Sequence, residues 1–269
     1  MKKIYDNNGN LFAELNYSKE YFLNYSKHSH ETFSIGLIGS GGLEVKFHSH
    51  PKQYLYPNQV VIFNPNQVHT TNSKIKNTSD YYTLHVNKQW CKKVQTGLFG
   101  LQENFIDTKQ NILDEKNIYD DLIEIFKDII LNNNAFVNKK LEKALVDILK
   151  EYSHLDKKYE KNEYKNRFLD NVEKYILDNI DNPITLEDIA SEVGYNEAYI
   201  TRVFKKEFGL TPHAFLINKR IEKAKRKLLK SKNVNLAQLS NEVGFYDQSH
   251  FSKVFKRVFA MTPNKYKME

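Results

Sequence analysis

The sequence predicts an α+β protein with more than one domain: an N-terminal antiparallel β-barrel with paired helices, then an all-α domain with two helix-turn-helix units joined by a long helix. Three observations predict this fold class. Short segments with apolar residues at every second position fill the first ninety residues or so. The spacing becomes helical between Asn117 and Tyr152, and the last third of the chain contains an internal repeat.

The N-terminal segments alternate in the way that half-buried strands do. One strand carries Phe33 and Ile35 on one face, the next carries Val45 and Phe47, and a glycine-rich turn at 39–42 separates them. Further strands are predicted at 53–56, 60–63 and 81–86. Several short strands at this spacing predict an antiparallel barrel or jelly roll with an apolar interior.

Three histidines lie where this barrel could bind a ligand. His28 and His30 are two residues apart, so both point to one side of an extended strand, and His69 can approach them from a neighbouring strand. Metal ligands, the lining of a pocket for an organic molecule, and purely structural histidines are the three interpretations, and the pocket is favoured. The predicted effector-binding residues are His28, His30, Phe33, Phe47, His69 and Tyr82. His85 is a further candidate, but the sequence does not show which face of its strand it lies on.

The stretch from Asn117 to Tyr152 has two apolar stripes at helical spacing, with a polar turn within Leu131–Asn138. It predicts a pair of helices. The following segment, Lys157–Asn166, has no apolar periodicity and is predicted to be a linker between domains.

The internal repeat relates Ile184–Phe215 to Val234–Tyr266, with ten identical positions. The first copy predicts a short amphipathic helix that ends at Gly194, followed by a second helix with an Asn N-cap. Two helices joined by a short turn with glycine form a helix-turn-helix, whose second helix can enter the major groove of DNA. Between the copies, Leu216–Lys230 is predicted to be one continuous helix that holds the two recognition helices about one turn of DNA apart.

The exposed face of each second helix carries small polar and basic residues. Arg can bind guanine through two hydrogen bonds, Gln can bind adenine, Ser and Thr can bind several bases, and Lys neutralises phosphate. The predicted DNA-binding residues are Ala198, Thr201, Arg202 and Lys205 in the first copy, and Gln248, Ser249, Ser252, Lys253 and Lys256 in the second. The alternative is a solvated polar face on a structural helical hairpin.

Composition favours a polyanionic partner. The formal net charge is +7, and the region from Asp181 to Glu269 carries +6 of it, with sixteen Lys and Arg against ten Asp and Glu. No apolar run approaches membrane-spanning length and the N-terminus lacks the apolar core of a secretory signal, so we expect a cytoplasmic location without membrane contact. Cys91 is the single cysteine, which excludes an intramolecular disulfide and favours a buried small hydrophobe over a redox switch.

The region Arg167–Glu269 resembles the DNA-binding domain of the AraC/XylS family of transcription regulators. The densest match lies in the second copy, at Gly244-Phe245, Gln248–Ser252, Val254–Lys256 and Thr262–Tyr266. The resemblance implies that Ala198, Thr201 and Arg202 face the bases in the first unit. Two positions depart from the family: Ala260 stands where glycine is usual, and Ala198 is too small to hydrogen-bond a base, which leaves a thymine methyl or a less selective contact.

The N-terminal segment resembles the cupin-like sensor domain found ahead of many AraC-type DNA-binding domains, on Lys27–Gly36 and Phe63–His69. Enzymatic cupins bind a metal through His-x-His, a Glu several residues later and a further His, whereas here Glu31 follows His30 directly. We therefore predict no metal, no cofactor and no enzymatic activity, and favour a transcription regulator controlled by a small molecule. A metal-dependent cupin enzyme with a DNA-binding tail is the alternative.

The resemblance divides the chain into a cupin-like ligand-binding domain at 1–155, a linker at 156–166 and a DNA-binding domain at 167–269. The expected partners are double-stranded DNA and an unknown small-molecule effector. In such sensors the paired helices often form a dimer interface, so a homodimer is expected, with packing inside one chain as the alternative. Contact with RNA polymerase is a further expectation of the family.

Overall fold

The computed structural model describes residues 1–18, 24–48, 50–73, 79–100, 104–153, 163–230, 233–259 and 261–268. These residues fall into two compact units. The β unit comprises Met1–Asn24 and His30–Asp156, and the helical unit comprises Tyr25–Ser29 and Lys157–Met268. The predicted order of an antiparallel β region followed by an all-α region is confirmed.

The described part of the first ninety residues contains nine strands. In chain order these are β1 (Lys2–Tyr5), β2 (Leu11–Ser18), β3 (Asn24–His28), β4 (Phe33–Ser40), β5 (Leu43–Phe47), β6 (Lys52–Leu55), β7 (Val60–Phe63), β8 (His69–Ser73) and β9 (Ser79–Val86). They are followed by α1 (Lys88–Phe99), β10 (Ile112–Leu113), α2 (Lys116–Asn132) and α3 (Ala135–Tyr152). One antiparallel sheet has the order β1-β2-β9-β4-β7-β10, and β8, β5 and β6 pair side by side in a second antiparallel sheet.

The turns between these strands occur where the sequence predicts them. Gly41, between β4 and β5, has a φ of 82°. Asn58 and Asn66 have φ values of 71° and 63°, in the turns before and after β7. Asn tolerates this left-handed region better than other side chains do, because its short polar side chain can hydrogen-bond locally.

The larger sheet is buried on both faces, which decides where the ligand-site residues lie. Phe33, Ile35 and Leu37 of β4 pack with residues of α1, α2 and α3 in one apolar cluster. Val61 and Phe63 of β7 point the other way and pack with residues of β5 and β6 in a second cluster. Apolar side chains therefore fill both sides of this sheet, and alternation alone does not say which side is which.

Helix α1 closes one part of the first cluster. Cys91 is fully buried there, and burial raises the pKa of its thiol, so the group stays protonated and unreactive. The favoured interpretation of Cys91 as a buried small hydrophobe is confirmed. Its neighbour Trp90 packs on Phe12 of β2, with ring centroids 5.2 Å apart.

The helical unit contains seven helices among its described residues. They are α4 (Glu163–Asp178), α5 (Leu186–Val193), α6 (Glu197–Phe208), α7 (Pro212–Lys230), α8 (Leu236–Glu242), α9 (Gln248–Phe259) and α10 (Pro263–Met268). The last four residues of the predicted linker are helical, because α4 already begins at Glu163. The remainder of the predicted linker and Ala260 lie outside the described residues. In the described parts of the chain, no helix is both long and apolar enough to cross a membrane.

Helix ends in the repeat follow from local sequence. Thr185 and Asp188 form a reciprocal capping box at the start of α5, and Gly194 ends that helix with a φ of 73°. The side chain of Asn196 accepts a hydrogen bond from the backbone N–H of Tyr199 at 2.8 Å, which caps α6. The predicted Asn N-cap is thus confirmed, and in the second copy the side chain of Asp247 accepts from the backbone N–H of His250 at 2.7 Å in the same way.

Each copy of the repeat has its own small aromatic core. Phe204 of α6 meets Phe215 of α7 with ring centroids 5.3 Å apart, and the matching pair, Phe255 and Tyr266, lies at 5.6 Å. Both contacts are close to perpendicular. The two copies are therefore alike in packing as well as in sequence, and each buries one face of its second helix while leaving the other face exposed.

Candidate nucleic-acid interface and ligand site

The predicted DNA-binding residues occupy the outer faces of α6 and α9. Seven of the nine are exposed, and the other two, Thr201 and Ser252, are half-buried. These two stand at matching positions of the repeat, so the two faces are built alike. On the opposite side of the same helices, Ile200, Phe204 and Phe251 are fully buried. This division leaves each outer face free to contact another molecule.

Two tyrosines support the exposed face of α6. Tyr195 and Tyr199 stack with ring centroids 5.3 Å apart, and Phe168 of α4 contacts both rings. The guanidinium of Arg202 lies over the ring of Tyr199, 5.6 Å from its centroid. A cation over an aromatic face is held electrostatically, so the tyrosine limits the orientations that Arg202 samples. Neither tyrosine is among the DNA-binding residues predicted from the sequence, although exposed aromatic residues beside a basic helix are a usable signal.

The second copy offers a different surface. Tyr246, in the turn before α9, is 98% exposed, and His250 contacts Phe245 by its ring edge at 5.3 Å. Gln248 and Ser249 open the helix on the exposed face, where the first copy has Glu197 and Ala198. The second copy therefore presents more side chains that can hydrogen-bond to base edges.

Several basic residues of α7 face inward. Lys225 is 6% exposed and lies over the rings of Phe259 and Tyr266, at 5.1 and 5.8 Å from their centroids. Arg220 is equally buried. Burial lowers the pKa of the Arg220 guanidinium and the nearby Asp181 raises it, and such a group stays charged at neutral pH. The basic pattern of this helix is thus partly structural.

The β unit holds a histidine cluster, formed by His30, His69 and His85 with Phe47 and Phe63. All three histidines are buried, and the ring of His30 lies 5.4 Å from that of His69 and 4.9 Å from that of His85. The ring of His69 lies 4.1 Å from that of Phe63, which in turn lies 5.6 Å from that of Phe47. Three of the predicted effector-binding residues, His30, Phe47 and His69, therefore lie in one place.

Hydrogen bonds orient two of these rings. Nδ1 of His69 lies 2.9 Å from the backbone carbonyl oxygen of Gln67, so Nδ1 carries a hydrogen and donates it. In the neutral ring Nε2 is then left as the acceptor. Nδ1 of His85 lies 2.9 Å from the hydroxyl of Ser34, which itself lies 3.0 Å from the hydroxyl of Thr32. Oriented imidazoles of this kind suit the recognition of a polar group on a ligand.

Phe33 and Tyr82 do not join the histidine cluster. Phe33 belongs to the apolar cluster beneath the helices and contacts Phe105 at 5.8 Å. Tyr82 lies in the same cluster, stacks on Tyr17 at 4.8 Å, and has its pKa raised by burial. Both side chains point away from the second sheet, because successive residues of a strand face opposite sides. The residues that the sequence predicts to line one effector pocket thus lie on both faces of the larger sheet.

His28 lies in the part of β3 that belongs to the helical unit. Its Nδ1 approaches the carbonyl oxygen of Ser26 at 2.5 Å, and its ring contacts Tyr25 at 5.8 Å. In the same unit, Asn218 of α7 accepts from the backbone N–H of Ser29 at 3.2 Å and donates to its carbonyl oxygen at 3.1 Å. Both residues of this pair are buried.

A separate cleft of about 370 Å³ opens between α2 and α3. Its lining residues are Ile118, Asp121, Leu122, Ala144, Asp147, Ile148, Lys150, Glu151 and Tyr152. The carboxylates make it mainly acidic, and it is not among the sites predicted from the sequence. The helix pair that the sequence predicted is confirmed at this position.

Two family models match the chain. The AraC-like ligand binding domain matches residues 19–149, and a helix-turn-helix domain matches residues 189–269. Both models describe parts of a regulator, and the cupin-enzyme alternative gains no support from them.

Known proteins resemble the chain in parts and in fold. The Msm operon regulatory protein of Streptococcus mutans is 28% identical over 139 residues, which are 51% of this chain and 49% of that protein. The multiple antibiotic resistance protein MarA of Escherichia coli is 31% identical over 94 residues, 35% of this chain and 73% of MarA. The alignment thus spans about half the length of the first relative. The crystal structure of ToxT from Vibrio cholerae with an unsaturated fatty acid bound has a TM-score of 0.59 at 16% identity, covering 96% of each chain, a likeness of fold.

Proposed function

Because the chain belongs to the AraC family of transcription regulators, we propose that it binds specific double-stranded DNA through α6 and α9 under the control of a small molecule. The observation that carries the proposal is the pair of matching outer faces on these helices, polar and basic in both copies. In a helix-turn-helix the second helix enters the major groove. Two such helices in one chain would contact two successive segments of one duplex.

The residues divide by chemistry. Arg202 and Lys253 stand at matching positions and are proposed to contact base edges, together with Gln248 and Ser249 at the start of α9. Thr201 and Ser252 have short side chains, whose hydroxyl groups can hydrogen-bond to a base edge that lies close to the helix. Ala198 can accommodate a thymine methyl but cannot hydrogen-bond. Lys205 and Lys256 are proposed to contact phosphate.

Selection of bound duplexes from a random-sequence library tests the proposal. The full chain should enrich a bipartite sequence, and its affinity for that sequence should fall steeply with salt because phosphate contacts release counterions. Arg202→Ala and Lys253→Ala should lower this affinity by about 1–3 kcal/mol and relax the sequence preference, whereas Lys205→Ala should weaken all DNA similarly. Equal losses on random DNA for all three variants would contradict the assignment of base contacts.

For the effector we propose a site at the histidine cluster of the β unit. The oriented rings of His69 and His85, next to the aromatic rings of Phe47 and Phe63, combine polar and apolar contacts as small-molecule sites do. Phe33 and Tyr82 are secondary candidates, since they stand outside this cluster, and His28 remains a candidate from the sequence. ToxT, which has a similar fold, has been crystallised with an unsaturated fatty acid, so oleic acid is a sensible first probe.

A native mass spectrum of the purified full chain would report a co-purified organic molecule, a bound metal ion and the number of subunits. An organic adduct that is lost in His30→Ala would support the site. If His30→Ala bound oleic acid and the co-purified molecule as the unchanged protein does, the site would be placed wrongly.

A route from this site to the DNA-binding helices is available through the chain itself. His30 is covalently next to Ser29, and Ser29 is held by Asn218 on α7, the helix between the two copies. A ligand that moves His30 would therefore act on a residue bonded to α7. An Asn218→Ala variant should bind the selected DNA but lose most of the effector's influence on that binding.

Two further partners and a cellular location belong to the proposal. The pair α2 and α3 is proposed to form a homodimer interface, and Leu131 and Phe136 near the turn between them are 83% and 68% exposed. Contact with RNA polymerase and a cytoplasmic location follow from regulation of transcription in bacteria. Analytical ultracentrifugation of the chain and of a Leu131→Glu, Phe136→Glu variant would test the dimer, which the double variant should dissociate.

A further inference from the structure

The buried Arg220 of α7 connects the two copies of the repeat. Its Nε donates to the carbonyl oxygen of Ile180 at 2.7 Å, and its Nη2 donates to that of Asn182 at 2.6 Å. Both acceptors lie in the loop that leads into α5. Its Nη1 donates to the carbonyl oxygen of Gly244, at 2.7 Å, in the turn between α8 and α9. One guanidinium thus bonds to the backbone ahead of the first helix-turn-helix and to the backbone inside the second.

The acceptors are well matched to a guanidinium. All three carbonyl groups follow the C-terminal end of a helix, α4 or α8, where the helix dipole favours a cation. The planar guanidinium presents its donors in a fixed fork, so three bonds in three directions also fix its orientation. A lysine ammonium at this place would keep the charge but could not reproduce that geometry.

The turn of the second copy is fitted closely to this side chain. Gly244 has a φ of 84°, and a Cβ added there would lie 2.7 Å from Cζ and Nε of Arg220. Any side chain at this position would displace the guanidinium as well as strain the backbone. The glycine that ends α8 is therefore also the contact surface for the arginine.

Two ion pairs flank this contact on the same side of α7. Lys223 pairs with Asp181 at 2.5 Å, next to the first two carbonyl groups. Lys227 pairs with Glu242 at 2.6 Å, at the end of α8. Spacings of three and seven residues bring all three basic side chains onto one helix face. The two lysine pairs are partly exposed and contribute little individually, which leaves the buried arginine as the stronger connection.

From these contacts we infer that Arg220 is a positioning residue for DNA binding: it fixes the separation and orientation of α6 and α9, and so sets the spacing of half-sites that the chain accepts. Asn182 stands four residues before α5, and Gly244 stands four residues before α9. Movement at Gly244 is therefore passed directly to the recognition helix α9, and movement at Asn182 reaches the recognition helix α6 through α5 and the turn at Gly194. The inference rests on the proposed DNA binding for its functional meaning, but its structural part can be tested without DNA.

The first experiment measures the distance between the recognition helices in DNA-free protein. Nitroxide labels at Ala198→Cys and Ser249→Cys, which are matching positions of the repeat, report that distance by pulsed electron spin resonance; the native Cys91 is fully buried and protected. We expect a narrow distribution for the parent protein and a broader or shifted one for Arg220→Lys. Arg226→Lys is the matched control, because it makes the same change at an exposed position of α7 and should keep the narrow distribution.

The result that overturns the inference is an unchanged distance distribution in Arg220→Lys, or an equal change in Arg226→Lys. Thermal unfolding checks that the variants are folded. Should Arg220→Lys fail to fold, Gly244→Ala provides the second test, because it displaces the guanidinium from the opposite side and should broaden the distribution in the same way.

The second experiment uses the bipartite sequence selected by the unchanged protein. Insertion of five base pairs between the half-sites turns them to opposite faces of the duplex, so the parent protein should lose roughly 100-fold in affinity. Arg220→Lys should bind the original sequence more weakly. The insertion should lower its affinity by less than about tenfold, because two recognition helices that are loosely connected tolerate altered spacing of the half-sites. An undiminished insertion penalty in this variant would refute the role. If no sequence is selected at all, the proposed function fails, while the distance measurement still decides the role of Arg220.

Discussion

Gln95 provides a sharp test of what stabilises the β unit. It lies on α1, is fully buried, and forms hydrogen bonds with Ile106 in the segment that follows that helix. Its side-chain oxygen accepts from the backbone N–H of Ile106 at 3.0 Å, and its nitrogen donates to the carbonyl oxygen of Ile106 at 2.7 Å and to the hydroxyl of Ser153 at 2.9 Å. The side chain of Gln95 thus satisfies both the N–H and the carbonyl group of Ile106.

Gln95→Leu keeps a similar volume but removes all three bonds. The N–H and carbonyl groups of Ile106 would be left without these partners, in a place where Gln95 excludes water. Each such group costs about 1–3 kcal/mol, so the expected destabilisation is about 2–6 kcal/mol. That is a large part of the stability of an ordinary domain, which is about 5–15 kcal/mol.

The only tryptophan of the chain makes the measurement specific to this unit. Trp90 also lies on α1 and packs on Phe12, so its fluorescence reports unfolding of the β unit during a urea titration of the full chain. With a denaturant dependence of about 2 kcal/mol per molar, the midpoint should fall by about 1–3 M. Gln89→Leu, the same change at an exposed position of the same helix, should shift stability by less than about 0.5 kcal/mol. A midpoint for Gln95→Leu that matches this control would refute the reasoning.

Three further predictions concern the helical unit. Arg202→Ala should lower affinity for the selected DNA by about 1–3 kcal/mol in a fluorescence anisotropy titration, whereas Arg167→Ala, an exposed arginine on α4, should change it by less than half of that. Asn196→Ala should lower the stability of α6 by about 1 kcal/mol in thermal unfolding, and Asn196→Asp, which keeps the capping acceptor, should recover most of the loss. The backbone N–H of Thr185 lowers the pKa of Asp188, so the stability that this carboxylate contributes is present above about pH 4 and is lost as the pH falls through the depressed pKa. Circular dichroism between pH 5 and pH 2 should therefore show a smaller acid-induced loss of helix in Asp188→Asn than in the parent protein, and equal losses would count against the capping box.

The repeat made the helical unit predictable. Matching apolar positions, glycines and caps appear twice, so the end of α5 at Gly194 and the start of α6 after its Asn N-cap could be placed from the sequence. What the sequence could not give was the role of Arg220. A basic residue in a basic helix resembles its exposed neighbours, and its burial depends on backbone carbonyl groups that only the folded chain brings together.

In the β unit the strands were easier to predict than their faces. The predicted segments match β4, β5, β7 and β9 closely. However, β4 is buried continuously from Phe33 to Ile38, since helices cover one side of its sheet and the second sheet covers the other. Alternation of side chains along a strand distinguishes two faces only when one of them is polar. For this reason the sequence predicts Phe33 and Tyr82 in the same effector site as His30 and His69.

With the DNA binding proposed for α6 and α9, the unequal outer faces of the two copies would give the molecule a direction on DNA. An aromatic-supported arginine beside Ala198 marks one end, and Gln248 and Ser249 mark the other, joined head to tail in one polypeptide. No symmetry operation exchanges these ends, so a sequence that satisfies both has a defined polarity and need not be a palindrome. A single chain would then distinguish a site from the same site turned end to end.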